Sequence, residues 1–253
     1  MRIVNTETGR VVRLLPLEEI RPLGGIHPPT VLRMVSERYD FSSPPQLQRP
    51  WEEAQKDGLK FQLGKLAYGN RTIYIGDFTL YNDGLVATST STDDAGIFLD
   101  DLFKWSKEVL GFRDIDPGMV RNLYVSNIIV ELKSSPDLLL KNFTSLSESL
   151  AKLLSATYEL DIPVQVSGLE MNFDRTATIP AWQTLSPFTL DRRINQPYSK
   201  NIFFSGAPLR TKDHLAFLEL MESTLTSGPT PSQKKGKKAL EYSPSAPRAI
   251  DLT

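Results

Sequence analysis

The segment from Arg71 to Gly111 constrains the fold more than any other, because a strand, a turn, a second strand and a capped amphipathic helix follow one another within it. In the strand from Arg71 to Tyr81, Ile73 and Ile75 alternate with Tyr74, Gly76 and Phe78. Both faces therefore carry apolar residues, which predicts a central strand. Asn82-Asp83-Gly84 is a hairpin turn signal and leads into a second strand, Gly84 to Thr90. Ser91 can then accept from the backbone near Asp94, while Asp93 and Asp94 place negative charge at the positive end of a helix that Gly111 terminates. Phe98, Leu102, Trp105 and Val109 form its apolar stripe, with Asp100, Asp101, Lys104 and Lys107 on the other side.

The flanking sequence extends the same pattern. Leu59 to Leu66 reads as a strand joined to Arg71 through Tyr68-Gly69-Asn70, giving an antiparallel meander. Upstream, Arg10 to Leu15 is a short strand, and Pro28-Pro29 opens a helix with Leu32, Val35 and Tyr39 on one side. Ser42 to Pro50 is a surface loop ending near Trp51.

Downstream, Leu123 to Leu132 is a β-branched strand, and Ser135-Pro136 opens a helix with Leu139, Phe143, Leu146, Leu150 and Leu153 inward. Pro163 to Phe173 and Asn201 to Ser205 are further strands. Thr211 is placed to cap a last helix carrying Leu215, Leu218, Met221 and Leu225. Residues 174 to 198 follow no pattern, and no residues match at a fixed period that would mark a repeat.

The expectation is a single α+β domain over residues 1–226, with a largely antiparallel sheet packed by three or more amphipathic helices. A flexible Lys/Pro/Ser-rich tail over 227–253 follows, because apolar periodicity ends there. With 253 residues, 40% hydrophobic and 23% charged, the chain is large enough to bury a substantial core. No apolar run approaches the roughly 18 residues that span a bilayer, so no membrane association is expected and the cytoplasm is the expected location.

The absence of cysteine removes disulfides, thiolate metal sites and cysteine nucleophiles together. Lys and Arg total 29 against 30 Asp and Glu, so no global field draws the chain to nucleic acid. His27 and His214 are the two histidines, and neither has a ligand neighbour at i+4. No serine lies in a hydrolase elbow, and the glycines miss the phosphate-loop spacings, so no cofactor is expected.

One arrangement has catalytic content. Glu131-Leu132-Lys133 at a strand end places a carboxylate and a lysine on one face, as PD-(D/E)xK nucleases do. Asp77 or Asp83 would have to complete its divalent-metal site, since magnesium prefers oxygen ligands. Asp93, Asp94, Asp100 and Asp101 fit helix stabilisation better than cation binding, because no glycine-containing ligand loop accompanies them.

The reading that follows is a non-catalytic binding or scaffold subunit of a multi-protein assembly, with a protein partner or self-association through Trp51 and Trp182. The alternative is a nucleic-acid-processing protein, a metal-dependent nuclease or an accessory subunit whose Lys234, Lys235, Lys237, Lys238, Arg192 and Arg193 contact phosphates.

Overall fold

A computed structural model describes residues 1–47, 50–133, 148–155, 164, 166–172 and 185–227. The expected meander forms β2 (Leu59–Tyr68), β3 (Arg71–Leu80) and β4 (Gly84–Ser89). It is the outer part of one eight-stranded antiparallel sheet ordered β2-β3-β4-β1-β5-β8-β7-β6. The remaining strands are β1 (Arg2–Leu14), β5 (Arg121–Glu131), β6 (Gly168–Met171), β7 (Phe188–Arg192) and β8 (Ile202–Ala207). The helices are α1 (Leu17–Ile20), α2 (Pro28–Arg38), α3 (Trp51–Asp57), α4 (Thr92–Leu110), a stretch α5 seen over 148–155, and α6 (Thr211–Ser227).

β1 begins eight residues before the strand expected from sequence. Arg2 to Gly9 carries no apolar stripe of its own. Its pairing with β5, from Arg2 opposite Glu131 to Leu14 opposite Arg121, supplies the ladder that holds it extended.

α4 is built as its sequence requires. The Ser91 side chain accepts from the Asp94 N–H at 3.1 Å, and Gly111 closes the helix at φ 72°, a conformation costly for residues with a Cβ. Phe98, Leu102 and Trp105 are buried, but Val109 is 51% exposed, because the stripe has rotated off the sheet by the last turn. Asp100 and Asp101 do not face solvent unpartnered: Arg13 of β1 reaches Asp100 at 2.8 Å, and Arg38 and the Tyr39 hydroxyl both reach Asp101 Oδ2 at 2.8 Å.

The connectivity repeats although the residues do not. A strand, helices, three meander strands and a long helix run from β1 to α4, and the same order runs from β5 through α5 to α6. The strand order reads identically from either edge under this correspondence, placing an approximate twofold axis between β1 and β5. Two hydrogen-bonded pairs lie on that axis, each with partners 119 residues apart. Asn127 donates to the Thr8 hydroxyl at 2.9 Å. Thr92 and Thr211, the first residues of α4 and α6, exchange backbone N–H to hydroxyl bonds at 2.9 and 2.7 Å. Thr211 thus ties the two helix starts together, where the sequence suggested a local cap. Gly9 lies beneath this junction, and a Cβ there would sit 2.0 Å from the Thr92 nitrogen.

Two hydrophobic clusters fill the face that α4 and α6 cover, one around Phe61, Phe78 and Phe98, the other around Ile128, Phe203 and Leu218. Every strand residue in them points to that face. Among the described residues, no helix is long and apolar enough to cross a membrane. Leu150 and Leu153 of α5, expected inward, are 47% and 67% exposed. α6 runs to Ser227, the first residue of the expected tail; the rest of that tail, the start of the helix at Ser135 and all of 173–184 lie outside the described residues.

Candidate functional site

The residues proposed for metal-dependent cleavage are not gathered. Asp77 pairs with Thr88, Thr88 with Arg10 and Arg10 with Val125, so it lies three strand spacings from β5 and six residues short of Glu131 along it. That separation is about 14 Å across the sheet and about 20 Å along it, whereas carboxylates sharing a magnesium sit about 2 Å from one ion. The Asp83 carbonyl accepts from the Leu15 N–H, beyond the opposite end of β1 from the Arg2–Glu131 pair. Glu131 is ion-paired with Arg2, and the Lys133 backbone N–H donates to Glu222 at 2.7 Å. Among the described residues no group of three or more His, Cys, Asp or Glu is arranged to hold a metal.

The structure does join a histidine and two serines that sequence spacing hid. His214 Nδ1 lies 2.6 Å from the Ser126 hydroxyl, and Nε2 lies 2.9 Å from that of Ser205. Ser205 donates to the Thr189 carbonyl at 2.8 Å, so it accepts from Nε2–H, and Nδ1 accepts from Ser126. A serine hydroxyl at this distance from a neutral imidazole is the first requirement of a nucleophile and base. The second, access, fails, because all three residues are fully buried. Burial lowers the His214 pKa to about 4, against a smaller opposing effect of the Ser126 backbone. The triplet is a neutral polar pin beneath the first turn of α6. Its sequence signal was slight: a histidine on the apolar stripe of a helix, with its serine partners on two distant strands.

The proposed partner-contact residues separate as well. Trp51 opens α3 and is half-buried against the first cluster rather than exposed on a loop. Arg192 stacks over the Phe203 ring at 5.0 Å, whereas Arg193 pairs with Glu7 at 2.9 Å, so the two arginines serve different local contacts. Trp182 and the Lys234, Lys235, Lys237 and Lys238 cluster lie outside the described residues.

Among the described residues, two surfaces bear further on function. The first is the outer face of the sheet, opposite α4 and α6. Gly9 and Val11 face α4, so alternation sends Arg10 and Val12 outward. Val12 lies between Val86 and Leu123 in the ladder, with Val125 beside Arg10, and these four apolar residues are all half-buried. Alongside them Arg10 donates to the Thr88 hydroxyl and Thr88 to Asp77, both at 3.3 Å. This surface has an apolar centre with a satisfied polar border.

The second lies on the helical face, where α1, α2 and α4 stand over β2–β4 and leave an apolar cavity of about 70 Å³. Phe103 and Arg113 in its wall also line a charged groove of about 400 Å³. No protein-family model matches the chain, and no curated protein matches it in sequence.

Proposed function

We propose that the chain is a non-catalytic binding subunit that engages a protein partner through the outer face of its sheet. The observation that carries this reading is the half-buried row Val86–Val12–Leu123, with Val125 adjoining, on the face that neither hydrophobic cluster uses. Antiparallel sheets commonly leave one face to solvent, and such a face is ordinarily polar along its centre. Here the centre is aliphatic and the charged groups border it, which is the distribution of a protein-binding patch. The chemistry-bearing groups support the same reading. The Ser126–His214–Ser205 cluster is sealed, and Asp94, Asp101 and Glu131 are engaged by Arg71, Arg38 and Arg2.

Affinity capture of the tagged chain from its native host, followed by native mass spectrometry, tests this when wild type is compared with Leu123→Glu. A discrete protein complex that survives nuclease treatment and is lost in Leu123→Glu is the expected result. An unchanged set of partners, with both proteins equally folded, would remove the outer face from the account. Co-purifying nucleic acid that disperses at raised salt would replace protein binding with phosphate binding.

A further inference from the structure

The apolar cavity and the charged groove share Phe103 and Arg113 as walls, which places the groove at the cavity's edge. Leu32 and Val35 from α2, Leu102 from α4 and Phe61, Phe78 and Leu85 from the sheet form buried walls. A water occupies about 10–15 Å³ on the same measure, so the 70 Å³ cavity has room for roughly five to seven waters or a similar number of carbon atoms. An apolar lining favours carbon over water, because water there would lack its two to four polar partners.

The groove outside carries the charge. Arg13, Lys104, Lys107 and Arg113 face Asp100 and Asp114. Both carboxylates are already taken, Asp100 by Arg13 at 2.8 Å and Asp114 by Lys107 at 2.6 Å. Lys104 and Arg113 have no carboxylate partner among the described residues. Arg113 donates from Nε to the Arg21 carbonyl at 2.9 Å, which fixes its guanidinium at the cavity's edge and leaves both Nη groups for a forked acceptor.

We propose that the cavity and groove together bind a small amphiphilic carboxylate, with a tail of roughly five to seven carbons in the cavity and its carboxylate held by Arg113 and Lys104. The site lies on the helical face and is independent of the protein-binding reading of the outer face. A tail in the cavity meets six elements of the first half, α1, α2, α4 and β2–β4, so occupancy would stabilise that half in particular.

Titration calorimetry on the full chain with straight-chain carboxylates from butanoate to decanoate tests the proposal, with hexylammonium as the charge-reversed probe. The expected result is one-to-one binding with an optimum near hexanoate to octanoate, and hexylammonium weaker by about tenfold or more. Arg113→Gln should weaken octanoate by about tenfold with unchanged melting temperature. Ser106→Leu, which adds an aliphatic side chain at the half-buried cavity wall on a helix that tolerates leucine, should abolish binding while the protein stays folded. Failure of every carboxylate to bind would overturn the proposal, as would equal binding of the ammonium or undiminished binding by folded Ser106→Leu.

Discussion

Lowering the pH from 7.5 to 5 should weaken this fold through His214 in particular. In the unfolded chain the imidazole titrates near 6.5, while in the folded protein burial lowers that value to about 4. The folded state therefore takes up the proton less readily than the unfolded one. The contribution is fully present above pH 6.5 and is lost as pH falls toward 4. Linkage gives a loss of about 2 kcal/mol at pH 5, approaching about 3 kcal/mol well below pH 4. Protonation would also place a donor at Nδ1 facing Ser126, whose hydroxyl would have to turn, and among the described residues no carboxylate bonds to either ring nitrogen. Urea unfolding at pH 7.5, 6.5 and 5 measures the slope. His214→Gln, which cannot titrate, should be less stable at pH 7.5 but flatter across this range. Equal slopes for wild type and His214→Gln would refute the argument, since carboxylates shared by both proteins would then carry the whole pH response.

Three further perturbations probe the frame. Gly9→Ala should destabilise by about 3 kcal/mol or more in thermal unfolding, because the added Cβ meets the backbone of Ser91 and Thr92 and neither can yield without shifting the start of α4. Thr92→Val and Thr211→Val should each cost about 1–3 kcal/mol, and a double-mutant cycle should show coupling of about 1 kcal/mol, because each hydroxyl accepts the other residue's buried N–H. Glu131→Gln should change stability by less than about 1 kcal/mol, since its partner Arg2 is largely exposed.

What the sequence revealed was what is local. The β3–β4–α4 unit was legible because Asn82-Asp83-Gly84, Ser91 and Gly111 set turn, cap and stop within forty residues, and neighbours along the chain supply their bonding partners. The first half of β1 was not legible, since its extended form depends on β5 more than a hundred residues away. The repeated connectivity escaped for a related reason. It lies in the order of the elements and in a few contacts, such as Ser89 and Ser205 each donating to a carbonyl on the neighbouring strand, while the meander strands differ in length, with ten residues in β3 and five in β7. Glu131 and Asp77 looked compatible as a site because alternation fixes a face but not a strand order. The cavity had no sequence signature at all, because its wall residues are ordinary core residues that differ only in leaving a gap. The outer-face row required register: Val86, Val12 and Leu123 belong to three strands, and only the pairing aligns them.

The protein-binding claim is tested most directly by the dissociation constant of the captured complex for wild type, Leu123→Glu and Val109→Glu. Val109 is an exposed residue on the opposite, helical face, so its substitution carries the same added charge away from the patch. Leu123→Glu should lose about 2 kcal/mol or more, roughly thirtyfold, with Val109→Glu equal to wild type and all three melting together. Equal affinities for the three, or a loss confined to Val109→Glu, would contradict it.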